Sequence, residues 1–335
     1  MRPVRSVVGA VVVAVGLVLL GSCGGDTTSG TGAADPPPPP EGDGSFPVTV
    51  ENCGTQITFD EVPGRVVTMN QHVTELLLAL GLEDRMIGTA FLDSTIRPDL
   101  ADAYEAVPVL ADEYPTREQV LAVDPDLVVG GFASAFDDTA AGSRPSLQDA
   151  GIGSYLTSGY CPDLVGPQTL DLLEQDIANL GAAFGVPGRA AELIEAVRAP
   201  ITDTADALEG IEPIEVFVYD SGTDAALTAA GFENTTRLIE LAGGRNVFAD
   251  VEENFTEVSW EDVVVRDPDA IVILDYGSEA AEDKVASLRT HPVASTLRAV
   301  REERFVVVEL ADVVPGIGNG DAVAAMAEGF HPGRR

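Results

Sequence analysis

The spacing of apolar and polar positions changes along the chain in a regular order. Residues 48–59 alternate on both sides of a short Asn52-Cys53-Gly54 turn, the pattern of a β-hairpin. Residues 65–69 (RVVTM) are nearly continuous in apolar character, which suits a strand buried on both faces. Residues 74–81 (TELLLALG) then take helical spacing, with Gly81 as a C-terminal stop. Further strands are predicted over 85–90, 127–131 and 152–157, with a short helix over 116–123. Strands that alternate with helices imply parallel βαβ units.

The rhythm then breaks. Residues 167–185 place Leu170, Leu173, Ile177 and Leu180 on one helical face. Pro187 opens a second helical segment, from 188 to about 209, which at about 1.5 Å per residue is roughly 30 Å long. Ala199-Pro200 is expected to kink it. After Pro213 come strands over 215–219, 270–274 and 304–310 and helices over 235–241, 259–265 and 321–330. The order is therefore α/β lobe, long helix, α/β lobe.

One pattern occurs twice. EQVLAVDPDLVVG (118–130) is echoed by EDVVVRDPDAIVI (261–273). In the first copy Thr116 and Gln119 make a capping box; in the second Ser259 caps and Asp262 sits at N3. Glu118 and Glu261 thus fall in the first turn of short helices. There they complement the helix dipole by about 0.3–1 kcal/mol, or they serve as contacts for a partner. The Asp-Pro-Asp piece stops each helix and feeds a strand.

Composition narrows the function. The 335 residues are 45% hydrophobic, enough for a sizeable core, and carry a formal net charge of -36. Lys284 is the single lysine. Such a surface repels nucleic acid and anionic headgroups; it suits solubility in salty surroundings or a preference for cationic and neutral ligands. Arg2 and Arg5 precede an apolar run over 7–20, a secretory signal too short to span a bilayer comfortably. The run ends in Leu20-Gly21-Ser22-Cys23, which resembles the bacterial lipobox and implies a lipidated Cys23; the alternative is a plain signal with an incidental cysteine. Residues 24–45, rich in Gly, Thr and Pro, read as a flexible tether. If Cys23 carries lipid, Cys53 and Cys161 remain, and an oxidising compartment favours their pairing over two separate buried thiols.

Several motifs stand in order: the lipobox and tether, "Pro-x-Arg-Val-Val", "Thr-Glu-Leu-x-x-Ala-Leu-Gly", "Glu-x-x-x-Ala-x-x-Pro-Asp-Leu-Val", a long central helix, and "Gly-Gly-x-Asn-Val-Phe-Ala-Asp…Val-Ser-x-Glu". Over nearly all of residues 46–332 the chain resembles the substrate-binding lipoproteins of iron-complex (ferric siderophore) and vitamin B12 ABC importers, the class III periplasmic binding proteins. The resemblance implies two Rossmann-like lobes, 46–187 and 213–332, joined by one rigid helix at 188–212, with the ligand between them. It implies a monomer anchored by lipid to the outer face of the cell membrane, with no catalysis and no cofactor. Its ligand would be a small metal chelate, and its partner a permease dimer with its ATPase. Glu118 and Glu261 would dock on the permease, one from each lobe.

The crevice outside the carboxyl ends of parallel strands is where such folds bind ligands. That rule selects Asn70, Gln71, His72, Phe91 and the stretch 132–136, Phe132 first, in the first lobe and Tyr219, Phe255 and Tyr276 in the second, with Asp220 and 312–315 beside them. Each has a plainer reading: His72 as a helix-capping residue, the phenylalanines as core, the tyrosines as strand ends with wet hydroxyls. Arg144 is a loop arginine suited to an anionic ligand or to a surface ion pair. Trp260, beside Glu261, is a surface anchor or a packing residue. With only His72, His291 and His331, a bare-metal carrier is poorly supplied with ligands. A hydrolase lacks its usual motifs, and an adhesion or sensing module remains open. Ferric siderophores, haem, cobalamin and a deazaflavin precursor are all carried by similar proteins. The scarcity of bases favours a neutral or cationic ferric hydroxamate, while His72 and Tyr276 keep haem in view.

Overall fold

The alternating segment and the apolar runs become strands of different kinds. In the computed structural model, which describes residues 46–334 except Asp93 and Ser278, β1 (Val48–Asn52) and β2 (Thr55–Phe59) form an antiparallel hairpin. Cys53 and Gly54 both have positive φ, 53° and 68°, the two-residue turn that matches strand twist. The secretory signal expected to end at a lipidated Cys23, and the tether expected over 24–45, lie outside the described residues. No helix among the described residues is long and apolar enough to cross a membrane.

The first large sheet holds β3 (Val66–Met69), β4 (Met86–Ala90), β5 (Val109–Ala111), β6 (Leu127–Gly130) and β7 (Gly153–Leu156), all parallel, in the order β5-β4-β3-β6-β7. The second lobe adds β8 (Ile214–Tyr219), β9 (Ala226–Ala229), β10 (Gly244–Asn246), β11 (Phe255–Val258), β12 (Ala270–Asp275) and β13 (Phe305–Glu309). Here the parallel order is β10-β8-β12-β13, while β9 and β11 pair antiparallel as a separate ribbon. Every residue of β3 and β6 is buried, as are residues 270–274 of β12, so these runs are apolar without alternation because both faces are covered.

The first helix, Gln71–Ala79, ends as its sequence predicts. Gly81 takes φ 67°; its amide donates to Leu78 O, and the Leu82 amide to Leu77 O. This pair of bonds satisfies carbonyls that a helix end leaves open. Helices Leu170–Ala183 and Pro187–Ala207 then connect the sheets, and the second runs on through Pro200. It serves both lobes: Ala190 and Val197 join the first lobe's core, Ile201 the second's.

The repeated sequence makes a repeated clasp. Thr116 and Gln119 close a capping box, and the Ser259 hydroxyl accepts from the Asp262 amide. Each helix ends in an aspartate of positive φ, Asp124 at 52° and Asp267 at 43°. The second aspartate then grips the neighbouring strand in both lobes. The Asp126 carboxylate accepts from the Gly64 and Arg65 amides, and its own amide donates to Arg65 O at 2.9 Å. The Asp269 carboxylate accepts from the Glu215 amide at 2.9 Å, and its amide donates to Glu215 O at 2.7 Å. The echo therefore has a folding role: it sets the register of the central strand pairs β3–β6 and β8–β12.

A disulfide joins Cys53 in the hairpin turn to Cys161, across 108 residues. Cys53→Ser is expected to lower stability by about 2–5 kcal/mol, because so long a loop is costly to close without the link; denaturant unfolding of oxidised protein checks this. Asp126→Ala is expected to cost about 1 kcal/mol through its exposed amide bonds, and Asp269→Ala more, since Arg298 also donates to Asp269. Equal and negligible losses in both variants would contradict the clasp.

Candidate ligand-binding site

Sequential strands in the first sheet run outward from β3 to β4 and β5, then the chain returns to the other side of β3 as β6. The switch point lies between the carboxyl ends of β3 and β6, where helices leave in opposite directions and open a crevice. Asn70 follows β3, and Gly131 and Phe132 follow β6. In the second sheet the switch lies between β8 and β12. Asp220 follows β8 and Tyr276 follows β12, and the Tyr276 hydroxyl donates to Asp220 Oδ1 at 2.8 Å.

The two carboxyl ends face each other. The Tyr160 hydroxyl in the loop after β7 donates to Glu233 Oε1 of the second lobe at 3.0 Å. Ser94, after β4, donates to Glu309, the last residue of β13. Arg97 reaches Asp321 at 3.0 Å and Asp312 at 3.8 Å. Gln71 and Glu75 on the first helix hold this 94–97 loop through its backbone: Gln71 Oε1 accepts from the Ser94 amide and Glu75 Oε1 from that of Arg97.

The first-lobe wall is aromatic. His72 lies edge-on to Phe132 at 5.1 Å, Phe132 lies 4.7 Å from Tyr160, and Phe91 lies 4.5 Å from Tyr114. The Tyr114 hydroxyl donates to Asn70 Oδ1 at 3.1 Å. Two residues here hold backbones that side chains avoid: Asn70 at φ 84° and Phe91 at φ 55°. Gly131 is constrained differently. A Cβ there would stand 2.4 Å from His72 Cε1, so glycine makes room for the imidazole. The sequence candidates Asn70, His72, Phe91 and Phe132 are thus gathered in one wall.

On the second wall, Phe255 and Tyr276 are half-buried against the second lobe's core, as are Phe132 and Tyr160 from the first lobe. Lys284 lies buried beneath Tyr276, with Nζ 4.4 Å from the ring centroid and donating to Leu274 O. Burial pushes this ammonium down from its ordinary range, against the pull of Asp220, Glu279 and Asp275.

Two candidates lie elsewhere. Tyr219 is 1% exposed and packs against Trp260 in the outer layer of the second lobe, because the β pleat turns alternate side chains away from one another. Arg144 is spent on structure: its guanidinium donates to Asn52 Oδ1 and to Ser154, beside a separate cavity of about 810 Å³. Trp260 is a packing residue, with its indole N–H on Thr223 O. Tyr114, Tyr160 and Glu233 escaped the sequence reading. The rule that found Asn70 would have found the two tyrosines had it been applied to β5 and β7. Glu233 carries no such signal, since the β9–β11 ribbon that places it has no repeat in the first lobe.

The electrostatics are those of a buried site. Burial lowers the His72 imidazole to about 4, offset by a hydrogen bond with the Gly131 backbone, so the ring is neutral at physiological pH. Burial raises Glu233 to about 8, against the hydrogen bonds from Tyr160 and the Asn234 amide. Burial likewise raises Asp312 to about 6, with Arg97 pulling it down. Asn70 Nδ2, His72 Nε2, Glu233 Oε2, Asn234 Oδ1 and Thr235 Oγ1 are buried without a hydrogen-bond partner among the described residues. Such groups are costly unless something else pairs them. Among the described residues no group of three or more His, Cys, Asp or Glu side chains is placed to hold a metal ion.

Glu233 sets a pH dependence. Its folded value near 8 lies above the ordinary 4.5, so between those values the folded state keeps a proton that the unfolded chain has lost. Stability from this group therefore falls as pH rises through that window. Glu233→Gln keeps the acceptor for Tyr160 and removes the titration. Thermal melts from pH 5 to 9 should show the variant gaining on the parent by several degrees as pH approaches 8. Parallel profiles would contradict the assignment.

Known proteins share this fold. The family model described as periplasmic binding protein matches residues 66–309. An uncharacterized ABC transporter substrate-binding lipoprotein of Bacillus subtilis, YvrC, is 25% identical over 293 residues, covering 86% of each chain. A vitamin B12-binding protein of Yersinia pestis is 25% identical over 248 residues, 72% of this chain and 79% of that one. The solved structure of an ABC-type Fe3+-hydroxamate transport system from Saccharomonospora viridis superposes with a TM-score of 0.74 at 28% identity, covering 86% of this chain and 100% of that one. With two α/β lobes, facing switch points and a family match across both sheets, the chain belongs to the periplasmic binding protein family.

Proposed function

We propose that the chain is the extracytoplasmic, lipid-anchored binding component of an ABC importer, and that it captures a ferric hydroxamate siderophore. The observation that carries the reading is an aromatic first wall, joined to the second lobe by the Tyr160–Glu233 hydrogen bond, with buried and unpartnered polar atoms in both lobes, Asn70 Nδ2 in one and Glu233 Oε2 in the other. An apolar cleft with a few convergent polar groups is the usual form of a small-molecule site. Its charge favours a neutral or cationic ligand. Of the bases nearby, Arg97 is paired with Asp99, Asp312 and Asp321, and Lys284 is buried under Tyr276. An anionic catecholate chelate would meet the Asp220 carboxylate and a neutral Glu233, with neither base at hand to pair its charge. The similarity to the Fe3+-hydroxamate protein supports the same class.

Haem is the second reading, because the His72 imidazole is neutral, as iron ligation requires. Delivery would use Glu118 and Glu261. Both are exposed, and neither forms a side-chain hydrogen bond or ion pair among the described residues. Cys23 would carry the anchor.

A thermal-shift panel on the mature chain tests the ligand: ferrioxamine B, a ferric catecholate, haemin, cyanocobalamin and Zn²⁺. At about 100 times its dissociation constant the true ligand stabilises by about 2.7 kcal/mol. Ferrioxamine should give that shift; a response to Zn²⁺ alone would overturn the reading. Glu118→Ala with Glu261→Ala should leave the ferrioxamine affinity unchanged and reduce cellular accumulation of iron-labelled ferrioxamine at least about tenfold, a loss equivalent to about 1.4 kcal/mol of docking. Unimpaired accumulation would remove the docking role.

A further inference from the structure

Acid alone does not single out Glu118 and Glu261 on a chain with 55 acidic residues. Something else must distinguish them. The two helices that carry them, Arg117–Ala122 and Trp260–Arg266, bury and expose equivalent positions alike. Two residues after each glutamate stands a valine, Val120 and Val263, both 0% exposed. Three residues after each glutamate stands an exposed aliphatic residue, Leu121 at 40% and Val264 at 37%, and Val265 follows at 84%. Positions three and four apart share a helix face. Each lobe therefore presents the same pair: a carboxylate with no partner among the described residues and, one turn on, a partly exposed aliphatic side chain.

The placement is not scattered. Of six large hydrophobic residues exposed among the described residues, three lie on these two short helices. Both helices run directly into the central strands β6 and β12, so their first turns lie toward the carboxyl ends that bound the cleft.

Resting on the docking role of Glu118 and Glu261, we infer that Leu121 and Val264 are the specificity residues of that contact. The occupant is a membrane permease built from two equivalent subunits, each offering an arginine beside an apolar recess. The repetition of the pair in two lobes calls for a partner with matching twofold sites. The carboxylates call for cations, and the aliphatic side chains for a dry pocket next to each cation. The acidic surface supplies long-range attraction to any basic partner; the paired aliphatic residues restrict binding to one that also buries them.

The test uses the full chain in the bacterium that makes it. A photoreactive benzoylphenylalanine is placed at position 122 or 265, the equivalent exposed sites beside each pair, and the cross-linked polypeptide is identified. The same integral membrane protein should be captured from both. Leu121→Ser with Val264→Ser should lower that capture by about tenfold, the worth of burying two small aliphatic groups. Capture of a permease subunit from both positions, undiminished by the serine pair, would overturn the inference and leave the docking reading intact. Capture from neither position would overturn both.

Discussion

A parallel strand covered on both faces can offer chemistry only at its ends. β3, β6, β8 and β12 are such strands, and their flanks are filled by the apolar clusters of the two lobes. Side chains with polar work to do are therefore pushed to the loops at the strands' carboxyl ends. Because each sheet reverses its strand order between the central pair, those loops diverge and leave a crevice. The facing of two such crevices, spanned by Tyr160 and Glu233 and by Arg97 with Asp312 and Asp321, follows from the connecting helix belonging to both cores.

The same constraint explains the chemistry of the site. Groups forced out of the core yet still dry have their charged forms disfavoured: His72 is neutral and Glu233 holds its proton. A wall that is aromatic, polar and uncharged suits a ligand recognised by shape and by a few hydrogen bonds. The charge of the molecule, by contrast, resides on its exterior, where it governs encounter with partners rather than grip on the ligand.

Much of this was legible in the sequence, for reasons that differ from place to place. Buried parallel strands announce themselves as unbroken apolar runs, and Gly81, Thr116 and Ser259 are cap residues whose local chemistry decides their role. The Asp-Pro-Asp echo was legible as a repeat, but its purpose was not: the amide bonds to Arg65 and Glu215 are contacts across 61 and 54 positions. Tyr219 was misplaced because a strand's last residue faces either layer, and the pleat, not the residue type, decides which. Arg144 was misplaced because its partners Asn52 and Ser154 come from the hairpin and β7, which no local pattern brings together. Glu233 stayed hidden because β9 and β11 are short strands without apolar periodicity.

The central claim is that one ligand is held between the two switch points by groups from both lobes. A crystal structure of the chain with ferrioxamine B bound tests it most directly. The account predicts the ligand against Phe132 and Tyr160, within hydrogen-bonding distance of Asn70 or His72 on one side and of Glu233 on the other. A ligand seated in the cavity beside Arg144, or touching one lobe only, would contradict it.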